Sequence, residues 1–264
     1  MRQIIVPTDF SVPAENAMLF AGGLAQKMNA GILLVHVFQI PVAMSDVPVM
    51  MVSADDLKQN ADKGLEKTAE VLQKAFPDIA VQTESRMGGV TDELNDLCKE
   101  IKPFAIVIGK HGAGGIERFF FGSTSLSVVR HTNIPVIVVP EATTRKDIRS
   151  VALAVDDQTE MLPKEAIKNI TDALGLQLHV IHVQSGKTET KNLNQLVSGL
   201  STTCKTIRDD EVLHGIQTYL TESNIDMLMI IPHKHSFMER LTFRTHTEEL
   251  LRKLTIPIIC IAEG

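Results

Sequence analysis

Four short runs of aliphatic residues punctuate the first half of the chain: Ile4-Ile5-Val6, Ile32-Leu33-Leu34-Val35-His36-Val37, Ala105-Ile106-Val107-Ile108 and Val136-Ile137-Val138-Val139. A strand that is apolar at nearly every position is covered on both faces, which calls for a parallel sheet between two layers of helices. The intervening stretches have the matching helical period. Ala17, Ala21, Leu24 and Met28 share one helix face, with Ser11 as its N-cap and Pro13 in its first turn. Leu57, Ala61, Leu65 and Leu72 repeat the pattern across 55–76, and Leu94, Leu97 and Ile101 repeat it across 91–101. Strand and helix alternate, so the class is α/β.

After the polar stretch 141–147 the same order starts again. Val151-Ala152-Leu153-Ala154-Val155-Asp156 mirrors the first strand and Asp9, and Ile181-His182-Val183 mirrors Val35-His36-Val37. Glu117-Arg118 and Pro135 return as Glu239-Arg240 and Pro257 at a single offset of 122. Such self-similarity marks a duplication. The boundaries predicted are a first domain over 1–142 and a second over 147–264. The second is shorter, mainly where the first carries Pro41 to Asp62.

The chain's 264 residues, 44% of them hydrophobic, suffice for two ordinary cores. A formal charge of −6 argues against a phosphate-backbone grip, so no nucleic-acid partner is expected. Cys98, Cys204 and Cys260 are scattered without disulfide or zinc spacing. The short apolar start and the lack of any long apolar run predict a soluble, cytoplasmic chain with no membrane association.

One segment carries ligand chemistry. Gly109-Lys110-His111-Gly112 is followed nine residues later by Gly122-Ser123-Thr124-Ser125, between a strand and a helix. Glycines at a strand's carboxyl end let backbone N–H groups approach an anion, and a helix N-terminus adds its positive dipole end. The hydroxyls of Ser123, Thr124 and Ser125 can add donors or serve as caps. A plain tight turn fits the same spacing, and the glycines alone leave both readings open.

Together with Pro7-Thr8-Asp9-Phe10-Ser11, Val35-His36-Val37 and the closing Ile134-Pro135-Val136-Ile137-Val138-Val139, the glycine segment resembles the universal stress protein family. The resemblance spans the chain as a tandem, strong in the first repeat and eroded in the second. It implies two doubly wound domains, each a five-stranded parallel sheet of order 3-2-1-4-5 with helices on both faces. It also implies an adenine-nucleotide site, preferably ATP with Mg²⁺ or Mn²⁺, in the first repeat. Asp9 would hold the ribose or adenine, Val37 would line the adenine pocket, and Gly109, Gly112, Gly122 and Ser123 would cradle phosphate. Pro7, Thr8, Ile108, His111, Thr124 and Ser125 complete the implied set. Members commonly dimerise through the last strand, here Val136 to Val139, so pairing with Ile258 to Ile261 would make this chain a pseudo-dimer. Further homodimerisation stays open.

In the second repeat Ile231, Lys234 and Arg244 stand where the three glycines stand. Side chains there would block backbone approach, so no second ATP site is expected. His233, Lys234, His235, Arg240, Arg244 and His246 form a basic cluster, read as a solvated face ahead of an anion site. No zinc site is expected at His233, His235 and His246. His36 and His182 are read as core histidines bonded to backbone, Phe119-Phe120-Phe121 as packing, and 39–53 as a mobile loop beside the adenine pocket. Gly88-Gly89 is either an adenine-side turn or an ordinary strand-to-helix turn.

Three functions remain: a nucleotide-binding stress or regulatory protein, a slow ATP hydrolase of the adenine-nucleotide α-hydrolase superfold, and a scaffold that binds no nucleotide. No Walker lysine follows the glycines and no catalytic carboxylate is placed, so binding with slow or no hydrolysis is favoured and no catalytic residue is assigned.

Overall fold

The computed structural model describes residues 2–40, 53–110, 128, 132–141, 143, 147–157, 159–185, 192–232, 250 and 253–262. The first half runs β1 (Gln3–Pro7), α1 (Val12–Met28), β2 (Gly31–Phe38), α2 (Ala54–Ala75), β3 (Val81–Met87), α3 (Val90–Ile101), β4 (Ala105–Lys110) and β5 (Val136–Pro140). The second runs β6 (Ser150–Val155), α4 (Lys164–Leu174), β7 (Gln177–Gln184), α5 (Leu193–Leu196), β8 (Thr202–Arg208), α6 (Val212–Glu222), β9 (Met227–Ile230) and β10 (Ile258–Cys260). The N-terminal cap of α1 forms as the sequence predicts. Ser11 accepts a hydrogen bond from Ala14 N–H, Pro13 sits in the first turn, and Asn29 closes the helix in the left-handed region.

The strands form one sheet of order β3-β2-β1-β4-β5-β10-β9-β6-β7-β8. Each half keeps the expected order 3-2-1-4-5, and the two last strands pair as expected, but the halves do not form two separate five-stranded sheets: they make one mixed sheet. Pairing is parallel within each half and antiparallel at the single joint between β5 and β10, where Val138, Ile137 and Val136 face Ile258, Ile259 and Cys260. The physical reason is the exposed edge. Unpaired backbone groups on β5 and β10 satisfy one another, so the edges merge the two sets into one mixed sheet.

The sheet register makes the duplication explicit. Ile106 pairs with Val136 in β5, and Leu228 pairs with Ile258 in β10, at the same offset of 122. Ile5 pairs with both Leu33 and Ile106, and Ala152 pairs with both His179 and Leu228. It follows that Thr8, Asp9, Phe10 and His36 correspond to Val155, Asp156, Asp157 and His182.

Two apolar layers sandwich the sheet, and each runs through both halves. One joins Ile4, Val107, Ile137 and α1 to Leu153, Met229, Ile259 and α4. The other joins Ile5, Ile106, Val138 and α3 to Ala152, Leu228, Ile258 and α6. Alternate residues of each strand feed opposite layers, as a strand covered on both faces requires.

Candidate functional site

Strand order reverses between β1 and β4, and such a reversal opens a crevice at the carboxyl ends of the strands. Pro7 ends β1 at that crevice. Thr8 N–H donates to Val35 O at 2.8 Å, and Thr8 Oγ1 accepts from Phe10 N–H at 3.0 Å. Asp9 is exposed, and its Oδ1 accepts from Ser11 N–H at 3.0 Å. A carboxylate is thereby held beside the positive end of α1, where the helix dipole favours it.

Gly109 lies across the crevice, near the end of β4. A Cβ built on it would stand 2.2 Å from Pro13 O, so the backbone of β4 presses directly on the first turn of α1. Packing alone therefore demands glycine at this position. Asp9 through Ser11 and Gly109 through Pro13 converge on the same helix start. Ile108 is buried in the layer that includes α3, and half-buried Val37 packs against that layer from β2, one strand away from the crevice. His111, Gly112, Gly122, Ser123, Thr124 and Ser125 lie outside the described residues, as do Phe119-Phe120-Phe121, the basic cluster from His233 to His246, and residues 41–52 of the predicted loop.

The equivalent crevice between β6 and β9 is built differently. Ile231 stands in place of Gly109 and is buried in the layer that includes α4. The connection into α4 runs over 156–163, against 8–11 into α1, so α4 starts farther along the chain from its strand than α1 does. Asp156 Oδ1 accepts from Thr159 N–H at 2.8 Å and from Thr159 Oγ1 at 2.6 Å. This is the turn role that a short polar side chain plays after a strand.

His36 Nδ1 lies 2.7 Å from Thr8 O and His182 Nδ1 3.1 Å from Val155 O, the backbone-bonded arrangement the sequence predicts. Their other neighbours differ. Phe10 stacks on His36 at 4.5 Å between ring centroids, whereas Asp157 places Oδ1 3.1 Å from His182 Nε2. Phe10 adopts φ +64°, a left-handed conformation that is costly for a bulky residue. The Thr8 bond, the His36 stack and a notch at Gly64, where a Cβ would meet the Phe10 ring at 2.6 Å, hold it there. Sequence reasoning missed this brace, although a glycine in mid-helix was the available signal. Gly89 is the N-cap of α3 and Gly88 N–H bonds Phe38 O at 3.0 Å, so this pair makes a strand-to-helix turn.

Lys110, also unassigned from sequence, is buried, and its Nζ donates to Leu254 O at 2.9 Å. Burial pushes its amine down to about 8. At the ends of β7 and β8, Gln184, Arg208, Asp209 and Asp210 line a polar hollow of about 460 Å³. There the bond from Glu211 N–H and the neighbouring His214 hold the Asp209 carboxyl below its ordinary range. Among the described residues no three histidine, cysteine or acidic side chains converge in a way that could hold a metal. No helix among them is long and apolar enough to cross a membrane.

A largely parallel sheet with helices on both faces and a crevice at a strand-order reversal defines a doubly wound α/β protein. The sequence pattern of the universal stress protein family matches residues 1–140, more than half of the chain, and the chain belongs to that family. It is similar to a universal stress protein of Mycolicibacterium smegmatis, 30% identical over 140 residues that make up 52% of this chain and 47% of that one. The chain thus spans about half the length of that relative. Universal stress protein Slr1230 of Synechocystis is 26% identical over 98% of this chain and 99% of its own, which supports a tandem arrangement. Among solved structures, a universal stress protein from Archaeoglobus fulgidus superposes with a TM-score of 0.75 at 18% identity, covering 99% of this chain and 98% of that one, and so shares the fold.

Proposed function

We propose that this chain is an ATP-binding regulatory protein of the stress response, acting in the cytoplasm, with one nucleotide in its first half. The units are 1–142, which holds the ligand, and 147–264, which does not. Adenine and ribose lie toward Asp9 and Val37. The phosphates, with Mg²⁺ or Mn²⁺, lie toward Gly109, Gly112, Gly122 and Ser123.

The observation that carries this reading is the asymmetry of the two crevices. In the first half an exposed carboxylate, a helix start and a backbone without a side chain meet at the strand-order reversal. In the second, Ile231 stands in place of Gly109, buried in the core layer, and Asp156 is engaged by Thr159. No Walker lysine follows the glycines in the sequence, which favours binding over turnover.

Calorimetric titration of the full chain with ATP tests it. The expected stoichiometry is one ATP per chain, abolished in Gly122→Arg and not doubled in Lys234→Gly. Two equal sites, or full affinity in Gly122→Arg, would falsify the placement. Mass analysis of nucleotide carried through purification separates the alternatives: ATP retained supports a binder, ADP accumulating with turnover a hydrolase, and no nucleotide a scaffold.

A further inference from the structure

The end of β4 is tied to the second half of the molecule by the side chain of Lys110. That residue is 5% exposed, and the carbonyl its amine reaches, Leu254 O, lies four residues before β10. Leu254 N–H bonds Leu250 O at 3.0 Å, so the acceptor belongs to the closing turn of a helical segment. Carbonyls there lack partners within the helix and sit at the negative end of its dipole.

Keeping an amine out of water is costly, and methionine fills a similar volume without that cost. The burden falls on one half only. The equivalent position in the second half is Pro232, which has no donor. A buried charge is weak evidence for stability, and its retention here is better explained by what it positions. Its backbone is the place where β4 meets the crevice. Lys110 O accepts from Glu141 N–H at 3.1 Å, and the preceding Gly109 abuts the first turn of α1.

We propose that Lys110 is a positioning residue, through which the second half holds the end of β4 in the geometry that the ligand crevice of the first half requires. The proposal rests on the nucleotide reading above. It gives the second half, in which Ile231 stands where Gly109 stands in the first, a part in binding at the first.

The test uses the full chain and three variants: Lys110→Met, Lys110→Arg and the control Lys27→Met. Lys27 also reaches across, from the end of α1 to Ile148 O at the opposite end of the sheet. Amide hydrogen exchange at Gly109 and Lys110 is measured without ligand, ATP affinity by calorimetry, and the unfolding midpoint in urea. Lys110→Met should exchange at least tenfold faster at those amides and bind ATP at least tenfold more weakly, with a midpoint equal to or above wild type. Lys110→Arg, which restores a donor, and Lys27→Met should stay within threefold of wild type in both. Wild-type exchange and affinity in Lys110→Met would overturn the proposal. So would a collapsed urea midpoint, which would make the lysine merely structural, or an equal loss in Lys27→Met. Should wild type bind no ATP, the nucleotide reading fails, and the exchange measurement still decides whether Lys110 positions β4.

Discussion

Asp9 and Lys110 show how little residue type says about role without neighbours. Asp9 sits one residue beyond the buried Thr8, exposed, with one carboxylate oxygen tied to Ser11 N–H at the helix start. If it accepts a charge-assisted bond from sugar or base, Asp9→Ala should weaken ATP binding by about 1.5–3 kcal/mol, roughly ten- to over a hundredfold, read by calorimetry. Lys110 makes a prediction in pH. Its folded value near 8 lies below the ordinary 10.5, so between those values the unfolded chain binds more proton than the folded one. Stability must therefore rise with pH through that window. The difference in unfolding free energy between wild type and Lys110→Met should shift in favour of wild type by up to about 3 kcal/mol from pH 8 to 10.5. A flat difference in urea titrations would show that the amine is not desolvated.

Among the elements, the helices of the first half were legible and the edge strands were not. The apolar periods at 13–28, 55–76 and 91–101 correspond to α1, α2 and α3 within a residue or two, because each helix buries one stripe against the sheet. The strands β3 (VQTESRM) and β8 (TTCKTIR) show no apolar run. They are the outermost strands of the sheet, each with a neighbour on one side only, so polar residues are tolerated there. The junction of β4 with α1 also belongs to this scale. Gly109→Ala would place a methyl group 2.2 Å from Pro13 O, a backbone atom that can move only if the start of α1 moves. The expected cost is about 1–3 kcal/mol of stability in urea, accompanied by weaker ATP binding, whereas a freely tolerated alanine would contradict the close approach.

At the scale of the whole molecule the pairing of β5 with β10 makes two repeats into one sheet. Val138 and Ile259 are fully buried at that joint, where Val138 faces Ile258 and Ile259 faces Ile137. Val138→Asp or Ile259→Lys would bury a charge with no designed partner, and each should cost at least ~4 kcal/mol of stability in chemical denaturation. An unchanged midpoint would mean that the halves stand without the joint. Because the core layers are continuous across it, unfolding of the wild type is expected as a single cooperative transition when followed by exchange in both halves.

The sequence by itself determined the α/β class, the alternation of elements, the duplication and the likeness to the universal stress protein family, strongest in the first repeat. Each of these depends on local periodicity or on residues recurring at fixed spacing, which the chain carries whatever its neighbours. It also located Asp9 and the glycine at 109, since both stand where a strand ends. The resemblance anticipated the pairing of the two last strands; only the tertiary structure decided that it merges the described strands into one mixed sheet, that packing against Pro13 demands Gly109, that Phe10 is braced by His36 and Gly64, and that Lys110 reaches Leu254. These are contacts between residues distant in sequence, set by which edges pair and which side chains meet once the layers close, and no local pattern encodes them.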